Sequence, residues 1–505
     1  MWPCLRILCA EIAQLWLIKT MFDYRSFATR KLVALAPKYL PFADVATDDL
    51  PLSRLLRLSL FQVTVGMALV LLVGTLNRVM IVELSVPATL VAGMLALPLL
   101  FAPLRTLIGF KSDTHVSALG LRRTPYIWKG TLLQFGGFAI MPFALLVLSG
   151  YADAADAPRW IGYSSAALSF LLVGAGVHMV QTVGLALATD LVPVEDQPKI
   201  VGLMYVMLLV GMVISALVFG ALLNDYSPGR LIQVIQAAAV VTVVLNLCAL
   251  WQQEPRDRVR AQAMRVAKPV QFSEAWRVMM QAPGMLGLLI VIGLGTFGFG
   301  MADVLLEPYG GQALGLSVAS TTKLTALLAG GTLLGFGLAS RGLSRGALPN
   351  RYALIGAIVG IPGFAAIIAS SFGAGIPLFL LGTFATGVGA GLFGHATLTA
   401  AIRSAPKDRI GLALGAWGAV QATAAGLGVA TAGIVRDIIV GWQDPTGIAV
   451  QTPYSIVFMI EIAFLILAIL VLLPKVASPN KRMNRLDMCA PADQNTASPN
   501  PVEVP

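Results

Sequence analysis

Twelve mostly apolar runs follow one another along this chain, and nothing else restricts its fold so strongly. They fall near 59–82, 86–107, 125–149, 161–188, 199–223, 230–251, 284–306, 317–339, 351–371, 376–400, 410–435 and 453–473. About 20 apolar residues in a helix cross the hydrocarbon of a bilayer. Strands of a membrane barrel alternate apolar and polar residues, whereas these runs are continuous. The expectation is an all-α polytopic membrane protein with twelve transmembrane helices. Only 12% of residues are charged, against roughly 25% in soluble domains.

The net charge of +10 invites a nucleic-acid reading, but its distribution argues against one. Of the 35 Lys and Arg residues, only Arg78, Arg159, Arg230, Lys323 and Arg436 lie on one side of the predicted membrane. The rest mark the other side, the cytoplasm by the positive-inside rule, with both termini there. Basic residues also suit contact with anionic lipid. The four cysteines, Cys4, Cys9, Cys248 and Cys489, have no metal-ligand or disulfide spacing. Residues 1–50 read as a basic cytoplasmic extension, with Leu5–Ile18 too interrupted to span, Met21 a second candidate start, and Leu40–Leu52 a turn aligning the first span. Residues 51–251 and 284–474 form two six-helix halves. A basic cytoplasmic linker at 252–283 joins them, and a Pro-, Ser- and Asn-rich tail at 475–505 is expected to be disordered.

The loop after the second span, Leu107–Trp128, reads L-I-G-F-K-S-D-T-H-V-S-A-L-G-L-R-R-T-P-Y-I-W. It is too polar for hydrocarbon, and Thr124-Pro125 reads as a capping residue followed by proline at the first helical position. The halves echo each other. V-G-A-G occurs at Val173–Gly176 in span four and Val388–Gly391 in span ten. Gly109-x-x-Ser112-Asp113 matches Gly337-x-x-Ser340-Arg341, and Gly74…Glu83 matches Gly298…Glu307. These repeats point to a duplicated six-helix unit.

This layout resembles the major facilitator superfamily, whose halves are related by an axis along the membrane normal. Gly109, Ser112, Asp113, Arg122 and Arg123 resemble the superfamily's loop motif, with extra residues, His115 among them, before the Arg pair. That inserted form, with R-L-S-L-F-Q-V-T-V-G at Arg57–Gly66 and T-L-N-R-V-M-I-V-E-L at Thr75–Leu84, resembles the PucC/LhaA family of phototrophic bacteria. This is the bacteriochlorophyll-delivery branch of the superfamily. The long S-D-T-H-x-S loop, P-F-A-D before the first span and L-Q-F-G-G-F-A-I-M-P-F-A-L at Leu133–Leu145 are closest to the LhaA subgroup. That subgroup assists assembly of the core light-harvesting complex 1, whereas PucC proper assists the peripheral complex 2.

The resemblance implies a non-enzymatic assembly chaperone of the photosynthetic inner membrane. It implies bacteriochlorophyll, bound or handed over, with carotenoid a second candidate pigment. The implied partners are light-harvesting α and β polypeptides, chlorophyll synthase and the membrane insertion machinery, with no nucleic acid.

No hydrolytic triad, Walker loop or dinucleotide fingerprint is present. Glycines at Gly293–Gly300, Gly331, Gly335, Gly411 and Gly415 fit close helix packing. Ionisable groups inside spans are the default functional candidates. Arg78 and Glu83 are five apart, about 140° round an α-helix, so they are not expected to pair; interfacial anchoring is the alternative. Asn77 precedes them. Asp303 and Glu307 share a helical face and, if buried together, would form a proton site. Pro308 is read as ending that helix, which favours solvation of Glu307 instead. Glu461, Asn246 and Gln134 are lesser candidates. Chlorophyll magnesium takes an axial ligand such as His, Asn, Gln or Glu. His178 and His395, at corresponding heights of the two halves, are the ligand candidates, with Gln181 and Gln134 beside them. For each, the commoner role of a membrane histidine or glutamine is packing or hydrogen bonding. The competing function is a proton-coupled secondary transporter of a small amphiphilic solute, favoured by the duplicated layout and the acid pair.

Overall fold

The computed structural model describes residues 50–100, 121–150, 156–193, 196–254, 284–404, 410–442 and 449–477, plus isolated residues between them. Among the described residues every regular element is helical. In the first half these are α1 Leu52–Glu83, α2 Ala88–Leu100, α3 Thr124–Ser149, α4 Arg159–Asp190, α5 Gln197–Leu222 and α6 Pro228–Leu250. In the second they are α7 Met285–Gln312, α8 Val318–Ser344, α9 Pro349–Ala369, α10 Gly375–Ser404, α11 Ile410–Gly441 and α12 Thr452–Ala477. Eleven helices are long and apolar enough to cross a membrane, and α2 is a shorter apolar helix. The chain is a multi-pass membrane protein. Most of the linker, the tail after residue 477, the N-terminal extension up to residue 46, and Gly109, Asp113 and His115 lie outside the described residues.

Burial is arranged for lipid rather than water. Leu132, Phe143, Ile214, Val240, Leu286, Leu381 and Leu467 are exposed, while Gln62, Asn77, Gln134, Asn246 and Glu461 are buried. Apolar side chains lose nothing by facing hydrocarbon, whereas polar ones must find partners inside. The Thr64 hydroxyl donates to Asn246 Oδ1 (3.0 Å), and Asn246 Nδ2 donates to Thr131 Oγ1 (2.9 Å), tying α1, α6 and α3 together. Asn246 therefore has a structural role.

The two halves pack by the same rules. α3 lies along α4 as α9 lies along α10, and the halves meet through α2 with α11 and α5 with α8. The repeated V-G-A-G strings both lie at close helix contacts, but the glycine that meets the preceding helix is the last of the string in α4 and the first in α10. A Cβ on Gly176 would come within 2.8 Å of the Gln134 backbone nitrogen in α3, and one on Gly389 within 2.7 Å of the Gly356 carbonyl in α9. Only glycine permits such an approach of two helix backbones. Gly331 and Gly335 of α8 likewise face the α10 backbone.

Three local expectations change. Helix α1 begins at Leu52 rather than near residue 59, because Leu52, Leu55 and Leu58 share one buried face; most of the turn read over Leu40–Leu52 lies outside the described residues. Thr124 is not the cap of α3; it is its first residue, and its side chain makes no cap bond. Pro308 does not end α7, which continues to Gln312. A proline inside a helix leaves the carbonyl four residues earlier without its donor. Here that carbonyl is Val304, and Asn77 Nδ2 of α1 donates to it (2.8 Å).

Candidate functional site

The site is built at three levels of the bundle: the end away from most Lys and Arg, the end that carries them, and a layer between. We call these the opposite end, the basic end and the inner layer.

At the opposite end α1 is wound in π-helical turns over Val70–Leu76 and Val79–Glu83. The Leu84 N–H donates to Val79 O (3.0 Å), a bond five residues back. In that winding residues five apart face the same way. Arg78 and Glu83 consequently form an ion pair, against the expectation from α-helical geometry. Arg78 Nη2 also donates to Leu316 O in the second half (3.1 Å). Tyr226, in the loop between α5 and α6, borders the pair; its phenol is pushed up to about 12 by burial and by the Glu83 carboxylate. Thr75 and Thr322 hydroxyls lie 3.2 Å apart across the halves, and Thr89 N–H donates to Asp437 Oδ2 (2.6 Å).

Asp303 and Glu307 differ in their surroundings. Glu307 is 3% exposed and accepts the Thr325 hydroxyl. It occupies the space left by the absent side chain of Gly74, where a Cβ would lie 2.6 Å from Glu307 Oε1. Asp303 is exposed and interacts electrostatically with Glu461 of α12. Glu461 is buried, and neither of its carboxyl oxygens has a hydrogen-bond partner.

At the basic end, Gln252 takes a left-handed backbone (φ 54°) just after α6, turning the chain back onto its own half. Arg54 Nη2 donates to Gln253 O (3.0 Å). Glu254 Oε1 accepts the N–H groups of Arg122 (2.6 Å) and Arg123 (2.9 Å), and its Oε2 accepts that of Thr124 (2.8 Å). A carboxylate at a helix N-terminus meets both the free donors and the positive end of the dipole. Asp190 of α4 pairs with Arg122 (3.2 Å) and Arg123 (3.1 Å), and Arg123 Nη1 donates to Ser112 Oγ (2.7 Å). The loop motif thus locks elements of the first half to one another. Glu254, Gln253, Asp190 and Arg54 are functional positions the sequence reading missed. The signal available was an acid directly after span six, at the start of a strongly basic linker.

The inner layer gathers the pigment candidates. At ~1.5 Å per residue, His178, Gln181, Tyr205, Phe336, His395 and Trp417 all lie roughly 10–18 Å in from the basic ends of their helices. His178 is partly buried and its Nδ1 has no partner. His395 is 7% exposed and its ring centre lies 4.0 Å from that of Phe336. Gln181 Oε1 accepts from Arg105 Nη2 (2.7 Å), and Thr182 Oγ1 accepts from Arg105 Nε (2.9 Å). Tyr205 of α5 meets Trp417 of α11 edge to face at 6.2 Å, and Trp417 Nε1 donates to Thr397 Oγ1 (3.3 Å). Gln134 is enclosed between α3 and α4 with both amide atoms unpartnered. It packs against Gly176 at a similar depth. Arg105 and Tyr205 were missed because an Arg near the end of an apolar run reads as a boundary and a Tyr inside one as packing.

A family model described as PUCC protein matches residues 75–479. The chain belongs to the PUCC family. It is 70% identical over 453 residues to Protein PucC of Rhodobacter capsulatus, covering 89% of this chain and 98% of that protein. It is 65% identical over 413 residues to Protein PucC of Rhodovulum sulfidophilum, covering 82% and 91%. A third family relative, the Bacteriochlorophyll synthase 44.5 kDa chain of R. capsulatus, is 28% identical over 382 residues, covering 74% and 85%. The first two relatives carry the PucC name, which the sequence reading had placed behind the core-antenna subgroup. Solved transporters share the fold. A D-xylose-proton symporter superposes with TM-score 0.61 at 15% identity, covering 83% of this chain and 96% of that one. An inward-facing bacterial homologue of the lysosomal transporter Spinster gives 0.57 at 17%, covering 84% and 95%. The fold of this PUCC-family chain is that of the major facilitator superfamily.

Proposed function

We propose that this chain is a non-enzymatic assembly factor for a light-harvesting antenna of a purple bacterium's photosynthetic inner membrane. It holds bacteriochlorophyll as cargo and passes it to the antenna α and β polypeptides, alongside chlorophyll synthase and the membrane insertion machinery. The observation that carries this reading is 70% identity across 98% of a PucC protein. The same match favours the peripheral complex 2 over the core complex 1 that the loop motif resembles.

The inner layer supports a pigment role on chemical grounds. His178 Nδ1 is buried without a partner, and an unmet buried polar atom costs roughly 1–3 kcal/mol. A magnesium tetrapyrrole takes a nitrogen ligand of this kind within an apolar surround, and the rings of Tyr205, Trp417 and Phe336 lie at a similar depth of the bundle. Carotenoid is a second apolar pigment the same surround would admit. The termini lie in the cytoplasm on this reading, because the basic end carries most of the positive charge.

Deleting the gene in its native host tests the proposal. The peripheral-antenna absorption of the membranes should collapse while the core antenna remains. Loss of the core antenna alone would transfer the assignment to complex 1, and normal levels of both would defeat it. A second reading, proton-coupled export of an amphiphile, draws on the buried, unpartnered Glu461 beside Asp303. Uptake of a water-soluble solute by proteoliposomes, driven by a proton gradient and lost in Glu461→Gln, would favour it.

A further inference from the structure

Arg105 is a cation held inside the bundle without a counter-ion among the described residues. Its described hydrogen bonds go to Gln181 Oε1 (2.7 Å) and Thr182 Oγ1 (2.9 Å), both neutral. Among the described ion pairs, none includes it. Its electrostatic neighbours are Tyr205 and His178, and neither supplies a carboxylate. An Arg at this depth is costly unless it meets an anion. Its planar fork presents five donors and suits a carboxylate held by two parallel bonds. Two acceptors on α4 fix the guanidinium and leave part of that fork free.

The surroundings narrow the anion. Tyr205 meets Trp417 from the second half edge to face at 6.2 Å. The Phe336 and His395 rings lie 4.0 Å apart, tilted by 43°, in the same layer. Flat rings from both halves thus lie at the same depth of the bundle as Gln181 and Thr182, which hold that cation. That combination suits a flat apolar body carrying a single acid group.

We propose that Arg105, oriented by Gln181 and Thr182, is a carboxylate-binding site for a planar aromatic acid, specifically a tetrapyrrole bearing a free carboxyl group. The inference deepens the pigment-handling reading and rests on it. It places recognition on the acid group, independently of any axial ligand to a central metal.

The test uses the purified full chain and two metal-free probes, pheophorbide a and its methyl ester, so that ligation through His178 cannot contribute. Quenching of tryptophan fluorescence reads binding. The acid should bind about tenfold or more tightly than the ester, since a charge-assisted pair is lost on esterification. Arg105→Gln should erase that difference and Arg105→Lys should retain part of it, with both variants eluting as the wild type does. Equal binding of acid and ester by the wild type would overturn the carboxylate site while leaving pigment handling intact. An acid preference that survives Arg105→Gln would also overturn it. Binding of neither probe would sink the pigment reading together with the site. Displacement of pheophorbide by oleate at equal concentration would show a general lipid-acid site and refute the planar-acid assignment.

Discussion

The two ends of the bundle are fastened differently. At the opposite end the bonds cross between the halves: Asn77 to Val304, Arg78 to Leu316, Thr75 with Thr322, and Thr89 to Asp437. At the basic end the described polar bonds stay within one half. Arg54, Arg122, Arg123, Ser112, Asp190, Gln253 and Glu254 tie the first half to itself, and Arg403 donates to Leu343 O (3.0 Å) within the second. Across the basic side of the layer the halves meet through rings, Tyr205 on Trp417. Directional bonds must break before the opposite end parts, whereas ring and aliphatic contacts slide. Among the described residues the directional bonds between the halves thus lie at the opposite end, and Arg105 and His178 lie toward the basic end.

The largest effect should come from Arg78→Met. Arg78 is buried at 3% exposure, and its loss leaves both Glu83 and the Leu316 carbonyl without a donor. Removing one partner of a buried pair costs about 3–5 kcal/mol. The side chain of Glu83 is 36% exposed, which discounts that to roughly 2–3 kcal/mol. Thermal unfolding in detergent should show a clear fall in midpoint. An unchanged midpoint would mean that packing alone joins the halves there.

Asn77→Leu should cost less, about 1–2 kcal/mol, by stranding the Val304 carbonyl. The companion variant sharpens the point. Adding Pro308→Ala supplies the missing N–H from within α7, so the double variant should recover part of the loss. No recovery would show that Asn77 matters for something other than the gap left by Pro308.

This opposite end was also the least legible part of the sequence. The spans and the duplicated halves could be read directly, because continuous apolar runs and repeated small-residue strings each follow from one local rule. Arg78 with Glu83 could not be, because pairing at a separation of five depends on π winding, and nothing in the local pattern announces it. Pro308 misled for a related reason. Sequence shows the donor that proline removes but not the donor that Asn77 supplies from another helix. In the inner layer His178, His395 and Gln181 stood out as polar groups in apolar runs. Arg105 entered only the count of positive charges on the basic side, since its depth is fixed by Gln181 and Thr182 on α4.

At the basic end, Glu254→Gln should cost about 1 kcal/mol. The amide oxygen still accepts a hydrogen bond from the start of α3, but the charge facing the helix dipole and the second acceptor are lost. Because this lock lies within one half, the variant should leave the joint between halves unchanged. If Glu254→Gln and Arg78→Met together lower the unfolding midpoint by more than the two separate changes combined, the ends are coupled and the contrast drawn between them is wrong.

The smallest stability effect should follow Tyr205→Leu, about 1 kcal/mol or less for an edge-to-face aromatic contact. Its main consequence should be access. With Cys4, Cys9, Cys248 and Cys489 replaced, a cysteine introduced by Thr397→Cys is buried beneath Trp417, since Thr397 is 2% exposed. Tyr205→Leu should speed its labelling by a thiol reagent added from the basic side. Arg78→Met, acting at the far end, should raise that rate less while lowering stability more. The reverse order would place the moving contact at the opposite end, and the ring pair would then be the fixed hinge.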